Sequence, residues 1–417
     1  MAKPRIFVQL ASYRDPELIP TINDLLAKAD KPDLFSFGIV WQYGPEEDPN
    51  IYDGKKNYRV IKKPYTESEG LGWARNLTNS LYNGEKLTLQ LDTHHRFAQG
   101  WDTMMLEDYK QALEHSSKPI ITTYCTPFEP KKPITEMGPC LMSQYEFSSD
   151  KLLMSMPWFV QDYKTRTHVI RARTISGHFY LTSGKFIKEV PYDPDIYFGG
   201  YTEETTMSVR AFTNGYDFYS PYRQYIWHEY TRSYRKKHWE DHGVEKHTGK
   251  TSGERDIYAR LKTRQIFGQE ENNIDLGKFG LGTERTLRDY EVFGGFDFKN
   301  CRIQDYTLQV KEPPNPIDYD NQFISKEHKV NCSWDTEFFT KGVENDELDF
   351  LTFGVQTQSS VELFRKDFLS GKDPEHTSFK QNVYLAEFRS IDKPYKIVMY
   401  AKWKNKGWSE RYEKNIA

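Results

Sequence analysis

Two kinds of pattern are missing from the 417-residue sequence. It contains no apolar run of about 18 residues, the length that a membrane-spanning helix needs, so the sequence predicts no membrane partner. Its four cysteines form no C-x-x-C pair, and we expect free thiols in a reducing compartment. These cysteines are Cys125, Cys140, Cys301 and Cys332.

The sequence also lacks a signal peptide pattern, a strong net charge and repeats, and these absences bear on location and partners. The first residues enter a strand pattern without the apolar stretch of a signal peptide, which predicts a cytoplasmic protein. The 57 basic and 60 acidic residues give a net charge of -3. This near balance provides no overall electrostatic attraction to nucleic acid or to an anionic membrane. The sequence also contains neither internal repeats nor low-complexity segments.

Aromatic residues, in contrast, are abundant. They make up 15% of the chain, with 28 Tyr and 26 Phe, and hydrophobic residues as a whole make up 37%. This composition is sufficient for a packed core, and aromatic ring faces also stack on the C–H faces of sugars. The length favours one large α/β domain followed by a smaller domain.

Strand and helix patterns alternate over the first part of the chain. Strands are predicted at 6–10, 35–41, 58–62, 86–91 and 119–124, and helices at 16–29, 72–82 and 102–115. This alternation predicts a mostly parallel, Rossmann-like sheet, which binds ligands at the carboxyl ends of its strands. Residues 125–165 contain several prolines and are predicted to form an irregular lid or acceptor wall.

The character of the sequence changes near residue 300. A stiff Pro-Pro-Asn-Pro segment at 313–316 is followed by short β-rich runs separated by turn residues, as in a β-sandwich. We therefore predict an α/β domain over residues 1–305 and a smaller β-rich accessory domain over residues 306–417.

The strongest local motif is Asp92-Thr93-His94, directly after a predicted buried strand. Because side chains alternate along an extended segment, Asp92 and His94 point the same way and can ligate one divalent ion. A carboxylate with an imidazole suits Mn²⁺ better than Mg²⁺. Asp-x-His also occurs by chance at strand ends, where it forms only a turn. His95 lies on the opposite face and is expected to pack or to make supporting contacts.

Two further segments have the residues of a nucleotide site. Ser12, Tyr13 and Arg14 follow the first strand and offer a hydroxyl, a ring and a cation to a base and ribose. Gly70 and Gly72 precede a predicted helix, where glycine allows a ligand to approach the backbone and the helix N-terminus favours phosphate. Each segment is equally consistent with a simple turn or helix cap.

Paired acids stand at another predicted helix start. Glu203 and Glu204 follow Gly199 and Gly200, and they either stabilise the helix dipole or hold hydroxyls of a ligand. His228, far along the chain, offers a third metal ligand.

These segments together resemble the GlcNAc-transferase family that includes the Skp1 hydroxyproline N-acetylglucosaminyltransferase and, more distantly, the polypeptide GalNAc-transferases. The matching segments are 11–18, 70–76, 89–102, 176–184, 199–221, 227–230 and 258–298. The resemblance implies a GT-A fold, a UDP-sugar donor with GlcNAc as the sugar, and a bound Mn²⁺ or Mg²⁺ ion.

The resemblance also implies roles for the metal and nucleotide residues. Asp92 and His94 take the place of the usual Asp-x-Asp motif, and His228 completes the protein ligands of the ion. The ion bridges the donor phosphates and neutralises the leaving UDP by Lewis-acid catalysis. Arg14 and Arg75 contact the nucleotide.

The reacting sugar is implied to lie beside Glu203 or Glu204. The related families retain the anomeric configuration of the transferred sugar, and no nucleophile is evident in the sequence. Our hypothesis is therefore a front-face reaction, in which the leaving phosphate helps to deprotonate the acceptor hydroxyl. The acceptor itself stays open between hydroxyproline, Ser or Thr of a protein, and a glycan.

Two alternatives from other functional classes remain. Residues 223–238 interleave basic and aromatic side chains, which fits single-strand binding by a nucleic-acid base glycosyltransferase. A solvated loop over the donor pyrophosphate explains the same residues. A catalytically dead carbohydrate-binding protein would require that Asp92, His94 and His228 bind no metal.

The C-terminal region lies outside the resemblance. Its β pattern predicts a module for acceptor binding or oligomerisation. Trp334, Trp403 and Trp408 are expected either to pack in its core or to stack on glycans.

Overall fold

The structure, a computed structural model, describes residues 5–148, 150–197, 201–316, 326–341, 348–369, 382–390 and 392–416. By their internal contacts the residues fall into two units. Unit 1 comprises Met1–Arg302 with Glu312–Pro314, and unit 2 comprises Ile303–Lys311 with Asn315–Ala417. The predicted boundary between residues 305 and 306 stays a prediction.

Strands and helices alternate over much of the described chain. The strands are β1 (Ile6–Tyr13), β2 (Phe35–Tyr43), β3 (Tyr58–Pro64), β4 (Leu87–Leu91), β5 (His95–Phe97), β6 (Pro119–Thr122), β7 (Thr126–Pro127), β8 (Cys140–Phe147), β9 (Leu153–Phe159), β10 (Ile170–Arg171), β11 (Phe179–Ser183), β12 (Asp217–Ser220), β13 (Ile226–His228), β14 (Phe296–Asp297), β15 (Arg302–Ile303), β16 (Lys326–Ser333), β17 (Leu348–Gln356), β18 (Glu362–Leu369), β19 (Val383–Ser390), β20 (Lys396–Trp403), β21 (Gly407–Trp408) and β22 (Tyr412–Asn415). The helices are α1 (Leu18–Lys28), α2 (Leu71–Ser80), α3 (Trp101–Leu113), α4 (Phe186–Glu189), α5 (Glu203–Thr213), α6 (His238–His242), α7 (Ser252–Ile266), α8 (Leu287–Gly294), α9 (Asp305–Leu308) and α10 (Thr336–Thr340). Short 3-10 helices lie at Pro32–Leu34, Tyr65–Glu67 and Gly277–Phe279.

A mixed sheet organises unit 1. Its strand order is β10-β12-β6-β11-β4-β1-β2-β3. β4, β1, β2 and β3 run parallel, as do β6 and β12, whereas β11 is antiparallel to both of its neighbours. The predicted α/β class is thus confirmed, with β11 inserted in the opposite direction into an otherwise largely parallel sheet.

The central strands are buried on both faces because helices cover the sheet. β1 alternates Ile6, Val8 and Leu10 with other buried residues, as expected for a central parallel strand. On α1, Leu18, Ile22 and Leu25 are buried and recur at the spacing of one helix face. These side chains join the main core cluster with the strand residues.

A second, small sheet lies beyond the carboxyl end of β4. β13 pairs antiparallel with β5, with His228 opposite His95, and it also pairs parallel with β7. This pairing brings residues from the first and last thirds of unit 1 together at the ligand-binding edge of the large sheet.

Residues 125–165 are not irregular, and this prediction is wrong. They contain β7 and an antiparallel hairpin of β8 and β9, in which Cys140 pairs with Phe159 and Phe147 with Leu153. Pro157, within β9, lacks a backbone N–H and therefore argues against a strand in the sequence. In a two-stranded ribbon each strand has a free edge, so the missing donor is tolerated there.

Unit 2 consists of two antiparallel sheets that share one core. β16 pairs with β19, while β18, β17, β20 and β21 form the second sheet with β22 also paired to β20. The ring of Tyr384 lies 5.2 Å from that of Phe353 across the two sheets. The predicted β-rich C-terminal region is confirmed.

The tryptophans of unit 2 divide between its core and its surface. Trp334 and Trp403 are buried in the core, whereas Trp408 is 56% exposed. None of the helices in the described ranges is long and apolar enough to cross a membrane.

Candidate active site

Asp92, His94 and His228 come together at the edge of the large sheet. Asp92 and His94 lie in the turn between β4 and β5, and His228 is the last residue of β13. Nε2 of His228 lies 3.3 Å from Oδ2 of Asp92, and Nε2 of His94 lies 3.8 Å from the same oxygen. One ligand atom from each residue lies within 4.8 Å of the other two. The structure therefore assembles the three residues predicted to bind a metal.

The chemistry of this cluster fits a divalent cation. Burial lowers the pKa of His228 well below its usual value, so its imidazole is neutral. Burial alone raises the pKa of Asp92, but the contact with His228 and the charge of Arg75 hold that pKa well below its usual value. Nε2 of His94 and Nδ1 of His228 are buried without a hydrogen-bond partner in the described residues. One carboxylate and two imidazole lone pairs are ligands that Mn²⁺ and similar ions accept.

His95 lies directly beside these ligands but makes different contacts. Its Nδ1 is 2.9 Å from the carbonyl oxygen of Trp227, and its Nε2 is 3.0 Å from that of His178. Burial lowers the pKa of His95 to about 4, so at neutral pH only one of these nitrogens donates a hydrogen bond. The ring thus holds β13 in place, which agrees with the supporting role expected from the sequence.

A cleft opens beside the cluster. Asp92, Thr93 and His94 form one part of its wall. Aromatic side chains line another part (Tyr13, His238 and Trp239), and basic side chains from the segment after β13 line a third (Arg232, Arg235 and Lys237). The cleft therefore combines possible metal ligands with rings and cations, the groups that a nucleoside diphosphate requires.

Of the three residues predicted to hold base and ribose, Tyr13 lines the cleft, whereas Ser12 and Arg14 are not among its lining residues. Tyr13 lines the cleft, and its hydroxyl donates to Asp241 at 2.7 Å. Arg14 forms ion pairs with Asp241 at 3.1 Å and Glu46 at 3.0 Å. The side chain of Ser12 is fully buried, and its hydroxyl has no partner in the described residues.

The two glycines before α2 are explained by contacts within the chain. A Cβ on Gly72 would lie 2.2 Å from the carbonyl oxygen of Ile196, and one on Gly70 would lie 2.5 Å from the ring of Tyr197. Gly70 also lines the cleft and has a φ of 110°, which disfavours other residues. Close approach of the backbone at Ile196 explains the glycine at position 72, and the ligand contact predicted for Gly72 stays a prediction.

Arg75 is fully buried behind the cluster. Its Nη2 donates to Oδ1 of Asp92 at 2.6 Å, and its Nη1 donates to the hydroxyl of Tyr192 at 3.1 Å and pairs with Glu203. Arg75 is thus placed to orient Asp92, whereas the sequence predicted contact with the nucleotide.

Comparison with known proteins identifies the family. The model of the family described as Glycosyltransferase (GlcNAc) matches residues 5–56 and 52–300. The chain belongs to this glycosyltransferase family. The match covers the sheet, the cluster of Asp92, His94 and His228, and the cleft of unit 1, and it ends close to the start of unit 2. No curated protein matches the chain at a significant level.

Solved structures give weaker likenesses. A crystal structure of GalNAc-T7 with UDP, GalNAc and Mn²⁺ has 13% identity and a TM-score of 0.47 over 88% of this chain and 64% of that protein. Residues 1–349 of TarS from S. aureus, in complex with UDP-GlcNAc, have 16% identity and a TM-score of 0.35 over 56% of this chain and 60% of that protein. The chain therefore spans less than two thirds of the length of either one. At these TM-scores, the family match is the finding that identifies the chain.

The two predicted acids of this glycosyltransferase have different environments. Glu203 is buried and paired with Arg75. Glu204 is half-buried and accepts the backbone N–H of Gly177 at 2.8 Å. Burial raises the pKa of Glu204 to about 7. Gly199 and Gly200, which precede them, lie outside the described residues.

Sequence reasoning missed two residues that contact the cluster of Asp92, His94 and His228. Asp15 accepts a hydrogen bond from the His94 ring at 2.7 Å. The ring of His178 lies 4.6 Å from that of His228 and accepts the N–H of Cys125 at 3.0 Å. Both are far from their partners in sequence, so no local motif links them. The sequence signal available for Asp15 was the position of an acidic residue just after the first predicted strand.

Proposed function

We propose that the chain is a metal-dependent retaining glycosyltransferase that moves GlcNAc from UDP-GlcNAc to an acceptor hydroxyl. The family match supports sugar transfer and GlcNAc as the sugar. The observation that carries the metal dependence is the convergence of Asp92, His94 and His228 on one point beside a cleft with basic walls. The acceptor is a hydroxyproline, Ser or Thr of a protein, or a glycan.

Asp92, His94 and His228 would hold a Mn²⁺ ion, with Mg²⁺ as a weaker substitute. When bound, the ion supplies Lewis-acid stabilisation to the diphosphate leaving group. Arg75 holds the Asp92 carboxylate in position through the pair at 2.6 Å. The nucleotide would lie along Tyr13 and the basic wall formed by Arg232, Arg235 and Lys237.

Of the two acids, Glu204 is the better candidate for contact with the reacting sugar or acceptor. The carboxylate of Glu203 is committed to Arg75, whereas that of Glu204 accepts one backbone N–H and keeps further acceptor capacity. A pKa of about 7 allows Glu204 to exchange a proton near neutral pH. We assign it to the acceptor side of the front-face reaction.

A cytoplasmic location is proposed on the state of the cysteines. All four are free thiols, which is usual in a reducing compartment. The nucleic-acid alternative receives no specific support, since Arg232, Arg235 and Lys237 of the 223–238 segment line the cleft. Arg223 instead pairs with Glu107 and Asp108.

The decisive experiment measures UDP released from a panel of UDP-sugars, with Mn²⁺ and with EDTA. We expect hydrolysis of UDP-GlcNAc that requires Mn²⁺ and falls at least about 100-fold in Asp92→Ala. Asp53→Ala is the matched control, because Asp53 is an exposed carboxylate that pairs with Lys62 and does not line the cleft. Binding of UDP-GlcNAc without turnover would instead favour the carbohydrate-binding protein.

The stereochemical part of the proposal has its own test. NMR of the product formed with a Ser-, Thr- or hydroxyproline-containing acceptor peptide should show an α-linked sugar. A β-linked product would contradict the front-face reaction and leave the donor assignment unchanged.

A further inference from the structure

Asp15 is a fully buried carboxylate at the carboxyl end of β1. It receives hydrogen bonds from four donors on three segments of the chain. They are the backbone N–H of Glu17 at 3.0 Å, the hydroxyl of Thr93 at 2.6 Å, Nδ1 of His94 at 2.7 Å and the hydroxyl of Tyr234 at 3.3 Å. A buried carboxylate at the centre of so many donors is held in a single orientation.

This contact determines which tautomer the neutral His94 ring adopts. An ionised carboxylate only accepts hydrogen bonds, so Nδ1 of His94 carries the proton. Nε2 then has the lone pair, and it is the atom that lies 3.8 Å from Asp92 without a hydrogen-bond partner in the described residues. The contact with Asp15 therefore fixes both the tautomer of His94 and the direction of its free nitrogen.

The same carboxylate also holds the wall of the cleft. Nε of Arg235 lies 3.5 Å from Oδ2 of Asp15, and Nη1 of Arg235 donates to the carbonyl oxygen of Tyr13 at 3.2 Å. Arg235 and Tyr13 both line the cleft. Asp15 thus connects a metal ligand with the basic segment that follows β13.

We propose that Asp15 is a positioning residue that presents Nε2 of His94 to the metal and fastens the basic wall of the cleft to that site. The inference rests on the proposed metal-dependent function. It assigns to Asp15 an effect on metal affinity that is independent of turnover, because the carboxylate acts through the His94 ring.

The test is the affinity of the purified full-length protein for Mn²⁺, measured by isothermal titration calorimetry in the absence of any sugar donor. Asp15→Asn keeps the shape of the side chain and removes its charge. We expect affinity about 10- to 100-fold weaker than that of the unsubstituted protein, the usual loss when a partner of a metal-ligating histidine is replaced. Unchanged affinity in Asp15→Asn would overturn the inference and leave the proposed function standing.

Glu85→Gln is the matched control. Glu85 is also a buried carboxylate, and it accepts hydrogen bonds from Ser36 at 2.8 Å and from Arg59 at 2.6 Å. It lies before β4, at the opposite end of that strand from Asp92. Its substitution should leave Mn²⁺ affinity unchanged, and an equal loss in both variants would overturn the inference.

A second measurement requires no variant at position 15. Long-range ¹H–¹⁵N NMR of the metal-free, unsubstituted protein reports the tautomer of each histidine, with the His94 signals assigned from the spectrum of His94→Gln. We expect His94 protonated on Nδ1, and a proton on Nε2 would overturn the inference. Failure of the unsubstituted protein to bind Mn²⁺ at all would overturn the metal assignment and this inference together.

Discussion

Nη2 of Arg75 lies 2.6 Å from Oδ1 of Asp92, and the guanidinium is buried while the carboxylate also faces the cleft. The other Nη of Arg75 pairs with Glu203 at the start of α5. A single guanidinium therefore neutralises the carboxylate that would bind the metal and the first acid of the helix that carries Glu204. We therefore expect the stability of this region to depend on that cation.

Replacement of Arg75 should destabilise the protein more than replacement of a surface arginine. Arg75→Met leaves the buried carboxylate of Glu203 and the partly buried carboxylate of Asp92 without their partner, and we expect a loss of about 3–5 kcal/mol in the free energy of unfolding. Arg166→Met, which removes partly exposed pairs with Asp162 and Glu312, should cost less than about 1 kcal/mol. Urea denaturation of both variants provides the comparison, and similar losses would refute the central role of Arg75.

His228 should be essential for metal binding. His228→Ala removes one of the three ligands, so Mn²⁺ affinity should fall at least about 100-fold while the far-UV circular dichroism is unchanged. His242→Gln is a suitable control, because His242 is equally buried but contacts the carbonyl oxygen of Tyr65 at 3.0 Å. Tight Mn²⁺ binding by His228→Ala would show that the ion is held elsewhere.

The pH dependence of transfer should report Glu204. Burial raises its pKa to about 7, so the carboxylate form that accepts a proton predominates only above that pH. We expect kcat/KM for acceptor transfer to rise with pH through about 7 and kcat to fall roughly 100-fold or more in Glu204→Gln, with loss of the pH dependence. A profile that is the same in Glu204→Gln and the unsubstituted protein would exclude this role.

Asp108 should make stability depend on pH. Burial raises its pKa to about 7, well above that of an unfolded Asp, although Arg223 at 3.2 Å acts in the opposite direction. Between about pH 4 and pH 7 the native state therefore binds more protons than the unfolded state, and stability is lost as the pH rises. Asp108→Asn removes this loss, so its free energy of unfolding relative to the unsubstituted protein should be higher at pH 7.5 than at pH 5. An equal difference at both pH values would contradict the raised pKa.

The core of unit 2 allows a test of its own stability. Phe353 is fully buried between the two sheets, and Phe353→Ala should cost about 3–5 kcal/mol by removing a large side chain from that core. Hydrogen exchange of the amides in β17 and β20 should increase, whereas the Mn²⁺ affinity of unit 1 should not change. Trp408→Ala, at an exposed position, is the control.

The alternation of strands and helices was readable because β1, β2 and β4 at the centre of the large sheet are rich in apolar residues. β1, β2 and β4 begin within one residue of their predicted starts. The hairpin of β8 and β9 was not predicted, since Pro157 and the intervening polar residues hide the alternation of side chains. The antiparallel direction of β11 depends on long-range packing, which no local pattern contains.

The candidate site was also predicted only in part, because some of its contacts are local in sequence and others are long-range. Asp92 and His94 share one motif after a strand, so their proximity follows from backbone geometry alone. The positions of Arg75 and Asp15 follow from tertiary contacts with residues 17 and 79 positions away. A sequence shows that Arg75 and Asp15 are polar. Only the folded structure shows that both are buried and that they contact Asp92 and His94.

The pairing of β5 with β13 has a consequence for how the protein matures. Asp92 and His228 are separated by 136 positions, so closing that long loop precedes any complete set of metal ligands. During synthesis, the ion cannot be held by all three side chains until β13, which carries His228, has left the ribosome. Once the strands pair, a metal that binds only the native state withdraws molecules from the unfolded pool. Ion supply would then influence the yield of folded enzyme as well as its rate of turnover.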